Sequence, residues 1–307
     1  MRIVVFGPAK RVGAWAGENV IDLNRVDGQI PSNLLAFIEA GSQALERAQR
    51  VIDQAGRAPD GAVQSATAVK IHAPWPGRRV LMAGANSGGH ISGPGSSGYG
   101  RNESEAVRKM RELGQRGFWK VPVTAIGPDE EVEYPSRTKR LDYEGEAMIV
   151  LGTRVKNMKA ADMAQYVWGV SLTNDLSIRD QKGEHPSARM AYAKNFDGSF
   201  VMGPSIVIGE GVDFQDLPIQ TKVNGELRQD FSSKVMIQSF GEMLELGTQD
   251  FTFVPGDVVG GGTGAGTAMD STPTGPDGSK ATDRFLKRGD VVEVSSPKVG
   301  TLRTRIV

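Results

Sequence analysis

Short apolar runs recur along the chain between clusters of Gly, Pro, Asn and Asp, and this spacing predicts strands and tight turns more than long helices. Arg2–Phe6 reads as a strand, and Val12–Trp15 with Asn19–Leu23 as a hairpin joined through Ala16-Gly-Glu18. Over Ser32–Arg57 the period changes. Leu34, Leu35, Phe37, Ile38, Leu45, Ala48, Val51 and Ile52 recur at helical steps, which predicts a helix with Ser32 as its N-cap. The Pro-rich stretch His72-Ala-Pro-Trp-Pro-Gly77 reads as a linker. Residues 1–72 are therefore expected to form a small α+β domain, and residues 73–307 a larger one.

Past the linker, Arg79–Ala83 predicts a strand, and the run from Gly84 to Gly100, rich in Gly and Ser, predicts a mobile loop. Glu103–Arg116 has a helical pattern. Apolar runs follow at Val121–Ile126, Ala147–Leu151, Val167–Leu172, Ser205–Ile208, Ile219–Val223, Asp257–Val259, Val291–Val294 and Thr301–Val307. Helical patterns interrupt them only at Ala160–Gln165 and Met236–Glu245, so the larger domain is expected to be β-rich.

Composition narrows the function. The 307 residues carry 36 basic and 36 acidic side chains, which removes the electrostatic case for nucleic acid or an anionic membrane. The absence of cysteine excludes disulfides, thiolate metal sites and a Cys nucleophile. No apolar run approaches the roughly 18 residues of a membrane span, and the N-terminus lacks the apolar core and cleavage site of a signal peptide. A cytoplasmic enzyme is the expectation.

Four stretches could carry chemistry. In Leu141-Asp-Tyr-Glu-Gly-Glu146, the side chains of Glu144 and Glu146 would share one face of a strand. Two adjacent carboxylates repel unless a cation or proton lies between them, although a solvated strand face with alternating charge explains the pattern equally well. Asp175 ends an apolar run, where it is either a turn residue or a third carboxylate for the same site. Three such oxygen ligands suit Mg²⁺, Mn²⁺ or Ca²⁺ rather than zinc. His90 lies in the Gly-rich loop, either exposed or carried in as a general base when the loop closes. His72 and His185 have the surroundings of ordinary loop residues. The run Pro255-Gly-Asp-Val-Val-Gly-Gly-Gly-Thr-Gly-Ala-Gly266 lacks both the Lys-Ser/Thr of a phosphate loop and a following helix, which leaves close backbone approach to a small ligand.

Taken in order, these stretches resemble the fumarylacetoacetate hydrolase family. The resemblance rests on Leu141–Glu146, Asn174–Asp180, Ala193–Asp197 with Gly203-Pro204, and Val223–Gln229 with Met236-Ile237. It continues through Pro255–Asp257 with Gly262-Thr263, and through Lys287–Glu293 with Val299–Leu302. Upstream, Gly84-Ala-Asn86, His90 and Phe118–Pro122 also match, so it covers roughly residues 70–307. It implies a mixed β-roll catalytic domain behind a small N-terminal domain, a lid at about 86–117, and a homodimer. It implies a divalent ion, usually Mg²⁺, on Glu144, Glu146 and Asp175, with Lys194 and the lid histidine His90 as catalytic residues. Arg179, Lys182, Gly262 and Thr263 match substrate-contacting positions.

Two positions depart from the family pattern. Gly93 stands where a Glu orienting the histidine is expected, which leaves Glu103 or Glu105 as substitutes. Lys182, beside Gln181, stands where a Gln is expected. The chemistry implied is that of a 2-oxo or 1,3-diketo acid chelated to the metal. The first expectation is a hydrolase cleaving a carbon–carbon bond in an acylpyruvate, as in aromatic-compound catabolism. The alternatives are a decarboxylase, isomerase or dehydratase of a related 2-oxo acid, and a binding protein without catalysis.

Overall fold

The structure is a computed structural model that describes the chain except for residues 95–101, 115–116, 181–185, 210, 274 and 276–280, and the side chains of 57 and 186–189. Lys182, His185 and most of the run from Gly93 to Gly100 therefore lie outside the described residues.

The strand Gly145–Leu151 lies at the centre, and every one of its residues is buried. Its alternation explains why. Ala147, Ile149 and Leu151 enter one apolar core, while Met148 and Val150 enter another on the opposite face. The neighbouring strand Val167–Asp175 divides in the same way, with Val170 and Leu172 on one side and Trp168 on the other. A sheet buried on both faces reads as a continuous apolar run, and that is how these segments appear in the sequence.

The large sheet runs Val63–Ser65, Asn19–Asp22, Arg11–Ala16, Arg2–Phe6, Phe200–Val207, Val167–Asp175, Gly145–Leu151, Val258–Gly260, Val80–Ala83 and Gly117–Lys120. One face is covered by Leu34, Phe37, Ile38, Ala44, Ala48 and Val51 of two N-terminal helices. The other meets a five-stranded sheet of Glu226–Ser232, Pro218–Val223, Val291–Ser296, Gly300–Ile306 and Glu130–Val132. Ile219, Val292, Val294, Leu302 and Ile306 supply its apolar contact. The architecture is the expected α+β, strand-rich one. Arg2–Phe6 pairs antiparallel with Phe200–Val207, so the first 72 residues and the rest of the chain share one sheet.

Several local expectations change. The helix expected over Ser32–Arg57 is two α-helices, Leu34–Glu39 and Gly41–Asp53, followed by a short 3₁₀ turn. Gly41 at φ +65° breaks the run. The first N-cap is Asn33, whose side chain accepts from the Ala36 amide, rather than Ser32. Val121–Ile126 is not a strand. The strand lies just before it at Gly117–Lys120, and Pro122 cannot donate to a ladder. Ala160–Gln165 is 3₁₀, and the helix expected from Met236 begins at Phe240 behind a Ser239–Glu242 capping box.

Candidate active site

Glu144, Glu146 and Asp175 meet at the adjoining ends of the two central strands, where Gly145 pairs with Asn174 and Glu146 with Thr173. One oxygen from each of the three carboxylates lies within 4.8 Å of the others, and all three residues are buried. The glycine between the glutamates is a packing requirement. A Cβ at 145 would lie 2.3 Å from Thr221 Oγ1 of the second sheet. The Gly145 amide also donates to Gln229 Oε1 at 3.1 Å.

Cationic side chains surround the triad. Lys194, the last residue of the helix Pro186–Lys194, donates to Glu144, to Asp175 Oδ2 at 2.7 Å and to Ser177 Oγ at 2.6 Å. Arg179 donates to Glu144 and, through Nε, to Asp142 Oδ2 at 2.9 Å. Lys120 is only 2% exposed and donates to Asp175 Oδ1 and to the Lys194 carbonyl. Lys194 and Arg179 are thus committed to the carboxylates.

The electrostatics separate the two glutamates. Burial would raise Glu144, but Arg179 and Lys194 outweigh it and hold Glu144 below the usual carboxylate range. Burial pushes Glu146 well above that range, and the charges of Asp175 and Glu144 push it further. Burial opposes the Lys194 charge, yet Asp175 and Glu144 raise its pKa. A buried group of three hard oxygen donors, one of them electrostatically strained, fits a divalent cation such as Mg²⁺, Mn²⁺ or Ca²⁺.

The Gly-rich turn closes one side. The Gly262 amide donates to Glu146 Oε2 at 2.9 Å. Gly262 sits at φ +90°, and a Cβ there would lie 2.9 Å from Asn86 Cβ. The Thr263 hydroxyl donates to the Gly145 carbonyl at 2.9 Å and accepts from Gln229 Nε2 at 2.8 Å, so it ties the turn to the central strand. Asn86 anchors the segment that carries the histidine. Its side chain donates to the carbonyls of Gln238 (2.9 Å) and Gly261 (2.8 Å) and accepts from the Gln238 amide at 2.9 Å.

His90 follows on the single helical turn Gly88–Ile91 and is 6% exposed. Its Nε2 lies 3.6 Å from Glu144 Oε1, and its Nδ1 lies 3.0 Å from Asp270 Oδ2. Glu103 and Glu105 occupy the first turn of the helix Glu103–Leu113, and the carboxylate found on Nδ1 is that of Asp270. The structure thus gathers the triad, His90, Lys194, Arg179, Gly262 and Thr263 in one place. Sequence reasoning missed Lys120, Asp142 and Asp270. Lys120 stood inside a matched stretch, whereas Asp270 carried no local signal.

The family profile described as fumarylacetoacetate (FAA) hydrolase C-terminal matches residues 80–307. The oxaloacetate tautomerase YisK of Bacillus subtilis (strain 168) is 28% identical over 302 residues, covering 94% of this chain and 93% of the relative. The mitochondrial oxaloacetate tautomerase FAHD2B of Homo sapiens is 28% identical over 316 residues, covering 100% of this chain and 92% of the relative. Among solved structures, the fumarylacetoacetate hydrolase of psychrophilic Exiguobacterium antarcticum superposes with a TM-score of 0.75 at 26% identity, covering 100% of this chain and 99% of that one. Among the described residues, no helix is long and apolar enough to cross a membrane.

Proposed function

The chain belongs to the fumarylacetoacetate hydrolase family of metal-dependent enzymes, and from that premise we propose that it is a keto–enol tautomerase of a small 2-oxo acid, with oxaloacetate the first compound to test. The observation that carries this reading is a buried histidine whose Nε2 faces the edge of the acidic triad at Glu144. Relatives named as oxaloacetate tautomerases, aligned over nearly the whole chain, favour the same reaction.

Glu144, Glu146 and Asp175 would hold the divalent ion, with Mg²⁺ the first choice. When bound, that ion supplies Lewis-acid polarisation of the oxygens of a 2-oxo acid. The remaining steps belong to the chain. His90 moves one proton between carbon 3 and the oxygen on carbon 2, breaking one bond to hydrogen and forming another, and returns to its starting state. Lys194 and Arg179 keep the carboxylates in place and balance their charge. The Gly262 amide fixes Glu146. Lys182 lies outside the described residues and remains a proposed substrate contact on the resemblance alone.

The second reading is the carbon–carbon hydrolase expected first from the sequence. It is favoured by the likeness to the Exiguobacterium antarcticum hydrolase and by the same histidine, which could take a proton from water instead. Purified protein with Mg²⁺ or with chelator, given enol oxaloacetate, acylpyruvates and fumarylpyruvate in separate reactions, tests both. The tautomerase reading expects Mg²⁺-dependent decay of the enol above the enzyme-free rate, with intact acylpyruvates and no release of carbon dioxide beyond that of the same mixture without enzyme. Cleavage of an acylpyruvate with no acceleration of the enol reaction refutes it in favour of the hydrolase. A homodimer is the proposed assembly, for which exposed Val121, Val123 and Tyr192 offer apolar surface, and sedimentation equilibrium tests it.

A further inference from the structure

A neutral imidazole carries a single N–H, and the nitrogen that donates to a carboxylate is the one that holds it. His90 faces two carboxylates at unequal distances, Asp270 at 3.0 Å on Nδ1 and Glu144 at 3.6 Å on Nε2. In a neutral His90 the closer contact favours the Nδ1–H form, which turns the Nε2 lone pair toward the triad.

Asp270 is itself held. Its carboxylate accepts from the Gly266 amide at 3.2 Å and from Ser271 Oγ at 3.1 Å. It sits on the short helix Ala268–Ser271, whose first amides, Ala268 at 2.8 Å and Met269 at 3.1 Å, donate to the carboxylate of Asp142. Asp142 accepts from Arg179 Nε, and the other arm of Arg179 donates to Glu144. The path closes on itself: from His90 through Asp270, the helix, Asp142 and Arg179 to Glu144, which again faces His90. The room for Asp270 is made by Gly93. A Cβ at 93 would lie 2.6 Å from both Asp270 Cβ and the Asp270 carbonyl oxygen.

We propose that Asp270 is the positioning residue for His90, fixing its tautomer and, through Asp142 and Arg179, its register against Glu144. The inference rests on His90 being the base. It explains how a chain with glycine at 93 still orients its histidine: the carboxylate is delivered from the far end of the sequence into space that only glycine leaves open.

Asp270→Asn keeps the shape and one carbonyl acceptor while replacing the accepting oxygen with an amide. The test uses full-length, ¹⁵N-labelled, Mg²⁺-loaded protein. With only three histidines in the chain, the His90 ring signals are identified by their loss in His90→Ala. The parent should show His90 protonated on Nδ1. Asp270→Asn should move the proton to Nε2 or to a mixture, lower kcat on enol oxaloacetate by about 100-fold or more, and leave KM and Mg²⁺ affinity within about twofold. An Nε2–H histidine in the parent, or an unchanged tautomer in Asp270→Asn, overturns the inference. If His90→Ala keeps parental turnover, the base reading fails separately, and the ring spectrum still judges whether Asp270 sets the tautomer.

Discussion

Replacing Lys120 by Met tests whether the site is built around a charge balance. The Met side chain keeps most of the aliphatic stem and removes only the ammonium. Lys120 is 2% exposed, and burial, with Lys194 nearby, lowers its pKa by more than Asp175 and Glu144 raise it, so its charge depends on those carboxylates. Asp142, Glu144, Glu146 and Asp175 face the cationic Lys120, Arg179 and Lys194, a set with one carboxylate in excess. Unit charges about 3 Å apart attract by roughly 5 kcal/mol at an effective dielectric of about 20. Deleting one partner of a buried pair costs about 3–5 kcal/mol, because the other charge is left uncompensated. Lys120→Met should therefore lose about 3–5 kcal/mol in urea unfolding with chelator present. With saturating Mg²⁺ the ion takes over the compensation of Asp175, and the loss should shrink to less than about half of that. Mg²⁺ affinity by calorimetry should tighten by about tenfold or more, because the stability recovered on binding must appear as tighter binding at a site that has lost a positive neighbour. An equal stability loss with and without Mg²⁺, or weaker Mg²⁺ binding, would show that Lys120 acts through packing or ligand placement and not through charge.

Glu146→Gln removes the carboxylate that burial and its neighbours push upward; in chelator the variant should be at least as stable as the parent, while calorimetry shows Mg²⁺ binding weakened by about tenfold or more, roughly 1.4 kcal/mol. A clear destabilisation in chelator would contradict the repulsion argument. Gly93→Ala should cost about 1–3 kcal/mol in urea unfolding through overpacking against Asp270 and should slow enol turnover with it; parental turnover would show that Asp270 need not stand where it does. Asn86→Ala removes three hydrogen bonds, one buried and two part-buried, between the base of the His90 turn and the 238 and 261 backbones, and should cost about 2–4 kcal/mol. A loss below about 1 kcal/mol in urea unfolding would show that this latch is replaceable, by water or by neighbouring groups.

What the sequence makes legible follows the range of the interaction. Strand alternation is local, so Ala147–Leu151 and Val167–Leu172 are readable as buried strands, and the pairing of Glu144 with Glu146 follows from the same period. Which strands lie side by side is not local, and the joining of Arg2–Phe6 to Phe200–Val207 leaves no mark in either segment. The break at Gly41 was missed because the apolar period passes through it, and only its positive φ ends the first helix. Lys120 was overlooked because a lysine at a strand end is usually solvated, and nothing nearby shows that Asp175, 55 residues on, will meet it.

Asp270 is the hardest case and the most instructive. It is 180 residues from His90, in a stretch without apolar period, and no spacing rule connects the two. The family pattern predicts a Glu three residues after the histidine, and by sequence alone Gly93 shows only that this group is missing. In the folded chain Gly93 has no positive φ to account for it, and the reason for it is volume, since the Cβ and carbonyl of Asp270 fill the space that a side chain would need. A glycine that needs no unusual backbone, at a position where a functional side chain is expected, is therefore itself a signal. It says that another part of the chain occupies that volume, and the first residue to look for there is one able to do the absent side chain's work.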